Sequence, residues 1–214
     1  MKFKYFISDM DGVLLDTERL ILKMYQKSAR THGFSFSEED FLKTIGKNNS
    51  DTRAILEKVI PIDFDTFYNT RETYLIDYIE TKGIPVKAGV REGLDKIKNA
   101  GIRMALATST DKAKAQYRIK TANIISYFEA SAFGDEIKNG KPSPDIFLLA
   151  AQRLGVSPQD CFVFEDSPAG VAAAKSAGMH VVLIPDMLAP TNEQKKLADY
   201  VANDFLEAVD YIFA

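Results

Sequence analysis

The chain has 214 residues, enough for one sizeable core or for a domain carrying an insertion. Lys and Arg number 27 against 30 Asp and Glu, and no basic run occurs, which argues against a nucleic-acid partner. Cys161 is the one cysteine, so no intrachain disulfide and no cysteine metal cluster can form, and no apolar stretch is long enough to span a bilayer. With no long apolar leader segment at the N-terminus either, the expectation is a soluble cytoplasmic protein without a membrane partner. Nothing in the sequence sets an oligomeric state, and a monomer is compatible with it.

Residues 3–8 form the first apolar run and predict a strand that leads into Asp9-Met10-Asp11-Gly12-Val13. Side chains alternate along a strand, so Asp9 and Asp11 fall on one side, and Gly12 permits a sharp turn. Two carboxylates this close repel unless a cation or a shared proton separates them, and hard oxygen ligands suit Mg²⁺. A solvated turn uses the same residue types.

Residues 16–83 lack strand patterns and read as successive amphipathic helices. Leu20, Ile21, Met24 and Tyr25 recur at helical spacing, as do Phe67, Tyr74, Leu75, Tyr78 and Ile79. Ser37-Glu38-Glu39-Asp40 resembles a capping box. The aromatic residues here predict a small separate core. In the polar stretch 46–51, Lys47, Asn48 and Asn49 have the chemistry to bind hydroxyls or an anion, and equally that of an ordinary interhelical loop.

The remainder alternates strand and helix. Strands are predicted at 102–108, 130–133, 161–165 and 180–184, with helices at 90–99, 111–122, 144–154 and 168–177. That alternation predicts a doubly wound parallel sheet with an inserted helical block. Ser143-Pro144 and Ser167-Pro168 each pair a good cap with proline at the first helical position, and Gly101, Gly155 and Gly178 follow helices. Cys161 lies in an apolar run and reads as a buried thiol, and His32 and His180 read as structural.

Ligands of open α/β sheets bind beyond the carboxyl ends of the strands. There the sequence places Asp9 and Asp11, then Thr108-Ser109-Thr110, then Glu165-Asp166-Ser167. Hydroxyls and free N–H groups at a helix start suit phosphate, although Thr108-Ser109-Thr110 also fits a plain N-cap, as Glu165 and Asp166 fit a helix's acidic first turn. Lys141, between Gly140 and Pro142 and just ahead of a helix, has a backbone fixed well enough to aim its ammonium. A P-loop reading of Gly140-Lys141 fails, because Pro142 stands where Ser or Thr is required.

Together Asp9-Met10-Asp11-Gly12-Val13, Ala107-Thr108-Ser109, Gly140-Lys141-Pro142-Ser143-Pro144-Asp145 and Phe164-Glu165-Asp166-Ser167-Pro168-Ala169-Gly170 resemble the haloacid dehalogenase-like (HAD) superfamily. The likeness covers essentially the whole chain, and the sugar-phosphate phosphatase and β-phosphoglucomutase-like group is nearest. The resemblance implies a Rossmann-like catalytic core at 1–15 and 84–214, with an α-helical cap at 16–83 that closes over the site and contributes specificity. It further implies that Asp9 is the nucleophile, Asp11 the general acid and base, and Thr108, Ser109 and Lys141 the phosphate ligands. Mg²⁺ would be held by Asp9, the Asp11 carbonyl and Asp166, with support from Glu165, and the substrate would be a small phosphomonoester.

The mutase group carries a His early in the first cap helix and an Arg in the cap loop. This chain has Glu18-Arg19-Leu20-Ile21 and Lys47-Asn48-Asn49 in those stretches, which favours hydrolysis over the mutase alternative. Asp11 argues against the dehalogenase branch, since halide displacement needs no acid. Phospho-accepting receiver domains fit poorly, because their acceptor Asp ends the third strand. A catalytically idle binding protein fits less well still, since every catalytic position of the family is filled.

Overall fold

The protein is described as a computed structural model covering residues 4–45 and 49–214. In the described residues six strands form one sheet: β1 (Tyr5–Ser8), β2 (Arg103–Ala107), β3 (Ala130–Ala132), β4 (Cys161–Glu165), β5 (His180–Leu183) and β6 (Tyr200–Val201). The helices, in chain order, are α1 (Thr17–Thr31), α2 (Glu38–Leu42), α3 (Asn49–Leu56), α4 (Phe64–Lys82), α5 (Val90–Asn99), α6 (Lys112–Thr121), α7 (Asp145–Leu154), α8 (Pro168–Ser176), α9 (Asn192–Leu197) and α10 (Phe205–Phe213). The chain separates into two compact units, Met1–Leu15 with Val86–Ala214, and Asp16–Pro85.

All strand pairs are parallel, in the order β3-β2-β1-β4-β5-β6. This is the α/β doubly wound sheet expected from the sequence. The order reverses direction between β1 and β4, which opens a crevice at their carboxyl ends. The strands read as nearly unbroken apolar runs because helices cover both faces. All five residues of β4 are buried.

Alternation along β1 sends Phe6 and Ile7 to opposite layers. Ile7, Ala105, Ala107 and Val163 pack with Ile146, Phe147 and Ala150 of α7 and Val171 and Ala174 of α8. On the other side Phe6, Phe162, Phe164 and Phe205 form an aromatic cluster, with ring centroids 4.8 Å apart for Phe6–Phe164 and 5.2 Å for Phe164–Phe205. Gly93 of α5 makes room for it, since a Cβ there would lie 2.6 Å from the Phe205 ring.

In the Asp16–Pro85 unit, α1 packs along α4. Tyr25, Phe34, Phe36, Phe41 and Phe67 pack ring against ring, with Tyr25–Phe67 centroids at 5.4 Å. The aromatic residues do form a core of this unit. The Ser37 hydroxyl accepts from the Asp40 N–H, but the Asp40 carboxylate accepts from the Ser37 hydroxyl, so only half the expected capping box forms. Asp lacks the length to reach back to the Ser37 N–H.

Other departures are local. Pro144 is the cap of α7 instead of its first residue, and the Ser143 hydroxyl donates to the Asp145 carboxylate at 2.5 Å. Ser167 caps α8 as expected, accepting from the Gly170 N–H at 3.1 Å with Pro168 in the first turn. Cys161 is buried, and burial pushes its thiol up to about 12. His32 ends α1 and its Nε2 meets Thr70 Oγ1 at 3.0 Å, while His180 opens β5.

Candidate active site

Asp9 is the first residue beyond β1, and its N–H continues the ladder to the Phe164 carbonyl at 3.0 Å. That bond fixes the backbone from which its buried carboxylate projects. Glu165 ends β4 and is fully buried. Lys141 enters from the segment between β3 and α7, and its Nζ donates to Asp9 Oδ1 and to Glu165 Oε1, 2.5 Å in each case. The other Glu165 oxygen accepts from the Ser167 N–H at 2.7 Å and the Ser167 hydroxyl at 2.9 Å. Two strand ends are thus tied together by one buried ammonium.

Burial pushes the Asp9 carboxyl up to about 8, against the lowering pull of Lys141, and the Glu165 charge adds to the rise. Burial likewise opposes the Lys141 charge, but Asp9 and Glu165 outweigh it and hold the ammonium above its ordinary range. Two carboxylates on one ammonium leave a surplus negative charge in a dry place, which a cation would relieve.

Asp166 supplies the third acid. One carboxylate oxygen from each of Asp9, Glu165 and Asp166 lies within 4.8 Å of the others. The donor set is all hard oxygen, which fits a divalent cation of the Mg²⁺ type. Two glycines shape the cradle. A Cβ on Gly12, whose φ is +83°, would lie 2.0 Å from Asp166 Oδ2, and one on Gly170 would lie 1.7 Å from Glu165 Oε1.

Asp11 is held differently. Thr110 Oγ1 donates to its Oδ2 at 2.7 Å and Arg118 Nη1 to its Oδ1 at 2.9 Å. Thr108 is buried, and its hydroxyl accepts from the Thr110 N–H at 3.1 Å, whereas Ser109 is exposed. Thr108 connects to Asp11 through Thr110. Gly134 lies hard against this turn: its N–H donates to the Thr110 carbonyl at 3.1 Å, and a Cβ would fall 2.0 Å from the Ser109 carbonyl oxygen.

Buried acids, one ammonium and a hydroxyl-bearing turn at the switch point of a doubly wound sheet suit phosphoryl chemistry. The family model for haloacid dehalogenase-like hydrolases matches residues 6–184. The chain belongs to that family. Its relatives include a phosphorylated carbohydrates phosphatase from Thermotoga maritima, 38% identical over 81% of each chain. The fructose-1-phosphate phosphatase YqaB from Escherichia coli is 33% identical, over 85% of this chain and 96% of that one. A crystal structure described as a β-phosphoglucomutase from Thermotoga maritima superposes with a TM-score of 0.84 at 32% identity, over 98% of both chains. This haloacid dehalogenase-like hydrolase is accordingly a phosphoric monoester hydrolase.

For this hydrolase, Asp9, Glu165 and Lys141 are in direct contact, and Asp166 completes the acidic cluster. Lys47 and Asn48 lie outside the described residues, and Asn49 is described only as the residue that opens α3. Sequence reasoning passed over Arg118, Gly134 and the role of Gly170. Arg118 carries no local signal, since any exposed helix face bears such cations. Gly170 gives a weak one: glycine inside a helix signals a close neighbour.

Proposed function

We propose that this hydrolase is a Mg²⁺-dependent phosphatase of small phosphomonoesters, sugar phosphates foremost, acting through an aspartyl-phosphate on Asp9. The observation that carries the reading is the Asp9–Lys141–Glu165 contact beside Asp166. Asp9, Asp166 and the Asp11 carbonyl would hold the metal, with Glu165 in support. Bound there, Mg²⁺ supplies charge neutralisation for the phosphoryl group.

Lys141 donates to Asp9 Oδ1. The ammonium offsets the repulsion between carboxylate and phosphate dianion. Thr108 and the Ser109 backbone bind the phosphoryl oxygens. Asp11 gives its proton to the departing alcohol, then takes one from the water that splits the aspartyl-phosphate. The names of two relatives, a phosphorylated carbohydrates phosphatase and a fructose-1-phosphate phosphatase, support the substrate class.

We assign to the Asp16–Pro85 unit the family's role of a specificity-setting cap, with Lys47, Asn48 and Asn49 as substrate contacts. We place the reaction in the cytoplasm, without nucleic-acid or membrane partners. Among the described residues no helix is long and apolar enough to cross a membrane.

The test is Mg²⁺-dependent phosphate release across a panel of phosphomonoesters, fructose 1-phosphate included. Asp9→Asn is expected to abolish release, and an Asp9→Asn protein at full rate would remove the nucleophile assignment. The structural neighbour described as a β-phosphoglucomutase supports a second reading, a phosphosugar mutase. Turnover of β-glucose 1-phosphate with a bisphosphate activator, and without phosphate release, would establish that reading instead.

A further inference from the structure

Beyond the groups that face the ester, the nucleophile turn is held from behind. Gly12 donates its N–H to the Leu15 carbonyl at 2.9 Å, and Lys87 donates its backbone N–H to the Leu14 carbonyl at 3.0 Å. The Lys87 side chain then returns to the same turn, where Nζ donates to the Gly12 carbonyl at 2.8 Å and to Asp186 Oδ1 at 2.6 Å. The Asp186 side chain is 3% exposed and that of Lys87 20%, so this is a nearly dry ion pair with a backbone carbonyl as its third member. Asp186 follows β5, two strands across from β1, which makes it a tie from that strand's end to the turn after β1.

The Gly12 peptide is no ordinary anchor point. Its Cα lies so close to Asp166 that a Cβ would fall 2.0 Å from Oδ2. A swing of the Gly12 carbonyl therefore moves the backbone that shapes the Asp166 cradle, and moves Asp11 one residue upstream. We infer that Lys87 and Asp186 are positioning residues for the cation site: by fixing the Gly12 carbonyl they hold the Asp9–Gly12 turn in register with Asp166. The inference rests on the phosphatase reading for its kinetic consequences, but its metal-binding consequence stands apart.

The test compares three proteins, the parent, Lys87→Met and the double variant Lys87→Met/Asp186→Asn. Calorimetric titration with MgCl₂ in the absence of substrate reads the cation site directly. Hydrolysis of p-nitrophenyl phosphate at saturating Mg²⁺ gives kcat and KM. The single variant takes the Lys87 ammonium away from the buried Asp186 carboxylate and is expected to melt lower, and the double variant recovers most of that loss because the carboxylate charge goes with its cation. Both are expected to bind Mg²⁺ about tenfold more weakly and to lose about tenfold in kcat, with KM little changed.

A double variant with parental Mg²⁺ affinity and kcat would overturn the inference, because the pair would then be a stabilising contact and nothing more. So would a kcat that recovers in step with the melting temperature. If the parent itself hydrolyses no phosphomonoester, the phosphatase reading falls, while the substrate-free titration still decides whether Lys87 and Asp186 shape the cation site.

Discussion

Gly170→Ala gives the sharpest test of the site geometry, because two physical effects predict opposite signs. Gly170 is the third residue of α8, where helix propensity alone favours alanine by about 1 kcal/mol. Packing says otherwise. The new Cβ would sit 1.7 Å from Glu165 Oε1, where non-bonded atoms keep 3.0 Å or more, so the carboxylate must retreat by roughly 1.3 Å. That retreat breaks or stretches its bonds to Lys141, the Ser167 N–H and the Ser167 hydroxyl.

Hydrogen bonds to a charged group contribute about 1.5–3 kcal/mol each, and overpacking adds about 1–3 kcal/mol. Even with partial repacking, the net loss is about 3 kcal/mol, which lowers the melting temperature of a chain this size by roughly 10 °C. Lys141 loses one of its two anchors, and a misplacement of about 1 Å costs on the order of a hundredfold in kcat. Differential scanning calorimetry and phosphate release on the purified variant read both numbers. A Gly170→Ala protein that melts at or above the parent's temperature with kcat intact would show that Glu165 does not lie over this turn of α8.

Three further outcomes are expected. Asp11→Asn removes the proton for the departing alcohol, so its kcat should fall by about a hundredfold or more on alkyl phosphates and far less on p-nitrophenyl phosphate, whose leaving group needs no acid; equal losses on both would refute an acid role for Asp11. Asp9 has its pKa raised from the unfolded 3.8 to about 8, so its contribution to stability is full below pH 4 and is lost as pH climbs through 8. Under the proposed metal site Mg²⁺ would bind the ionised form and should raise the melting temperature more at pH 8 than at pH 5.5, and a shift that does not grow with pH contradicts this. Cys161, its thiol pushed up to about 12 by burial, should resist an aromatic disulfide reagent in the native protein and react once in denaturant. Fast native labelling would show that β4 is not buried.

The parts of this site that the sequence reveals are those whose spacing is local. Asp9 and Asp11 stand one residue apart at a strand end, and Glu165-Asp166 precede Ser167-Pro168 at a helix start, so each pair announces its own geometry. Lys141 was legible through Gly140 and Pro142, which restrict its backbone. Arg118, Gly134, Lys87 and Asp186 were not, because each acts on a residue far away in sequence. Arg118 reaches Asp11 across 107 positions, and Lys87 reaches Gly12 across 75. The short β6 went unread for another reason: at two half-buried residues it carries no period at all. In α10 the signal exists, since Phe205, Ala208, Val209 and Ile212 are buried at helical spacing behind an Asp204 cap.

The acids of the site take their cationic partners from two places. Asp9, Glu165 and Asp166 set three carboxylates against the single ammonium of Lys141, a formal surplus that one divalent cation cancels. Asp11 has partners of its own, Arg118 on one oxygen and Thr110 on the other, while its charge still helps to raise the Asp9 pKa. In the proposed reaction the residue that would move the proton, Asp11, is thus anchored by Arg118 and Thr110, and the residue that would take the phosphoryl group, Asp9, by Lys141.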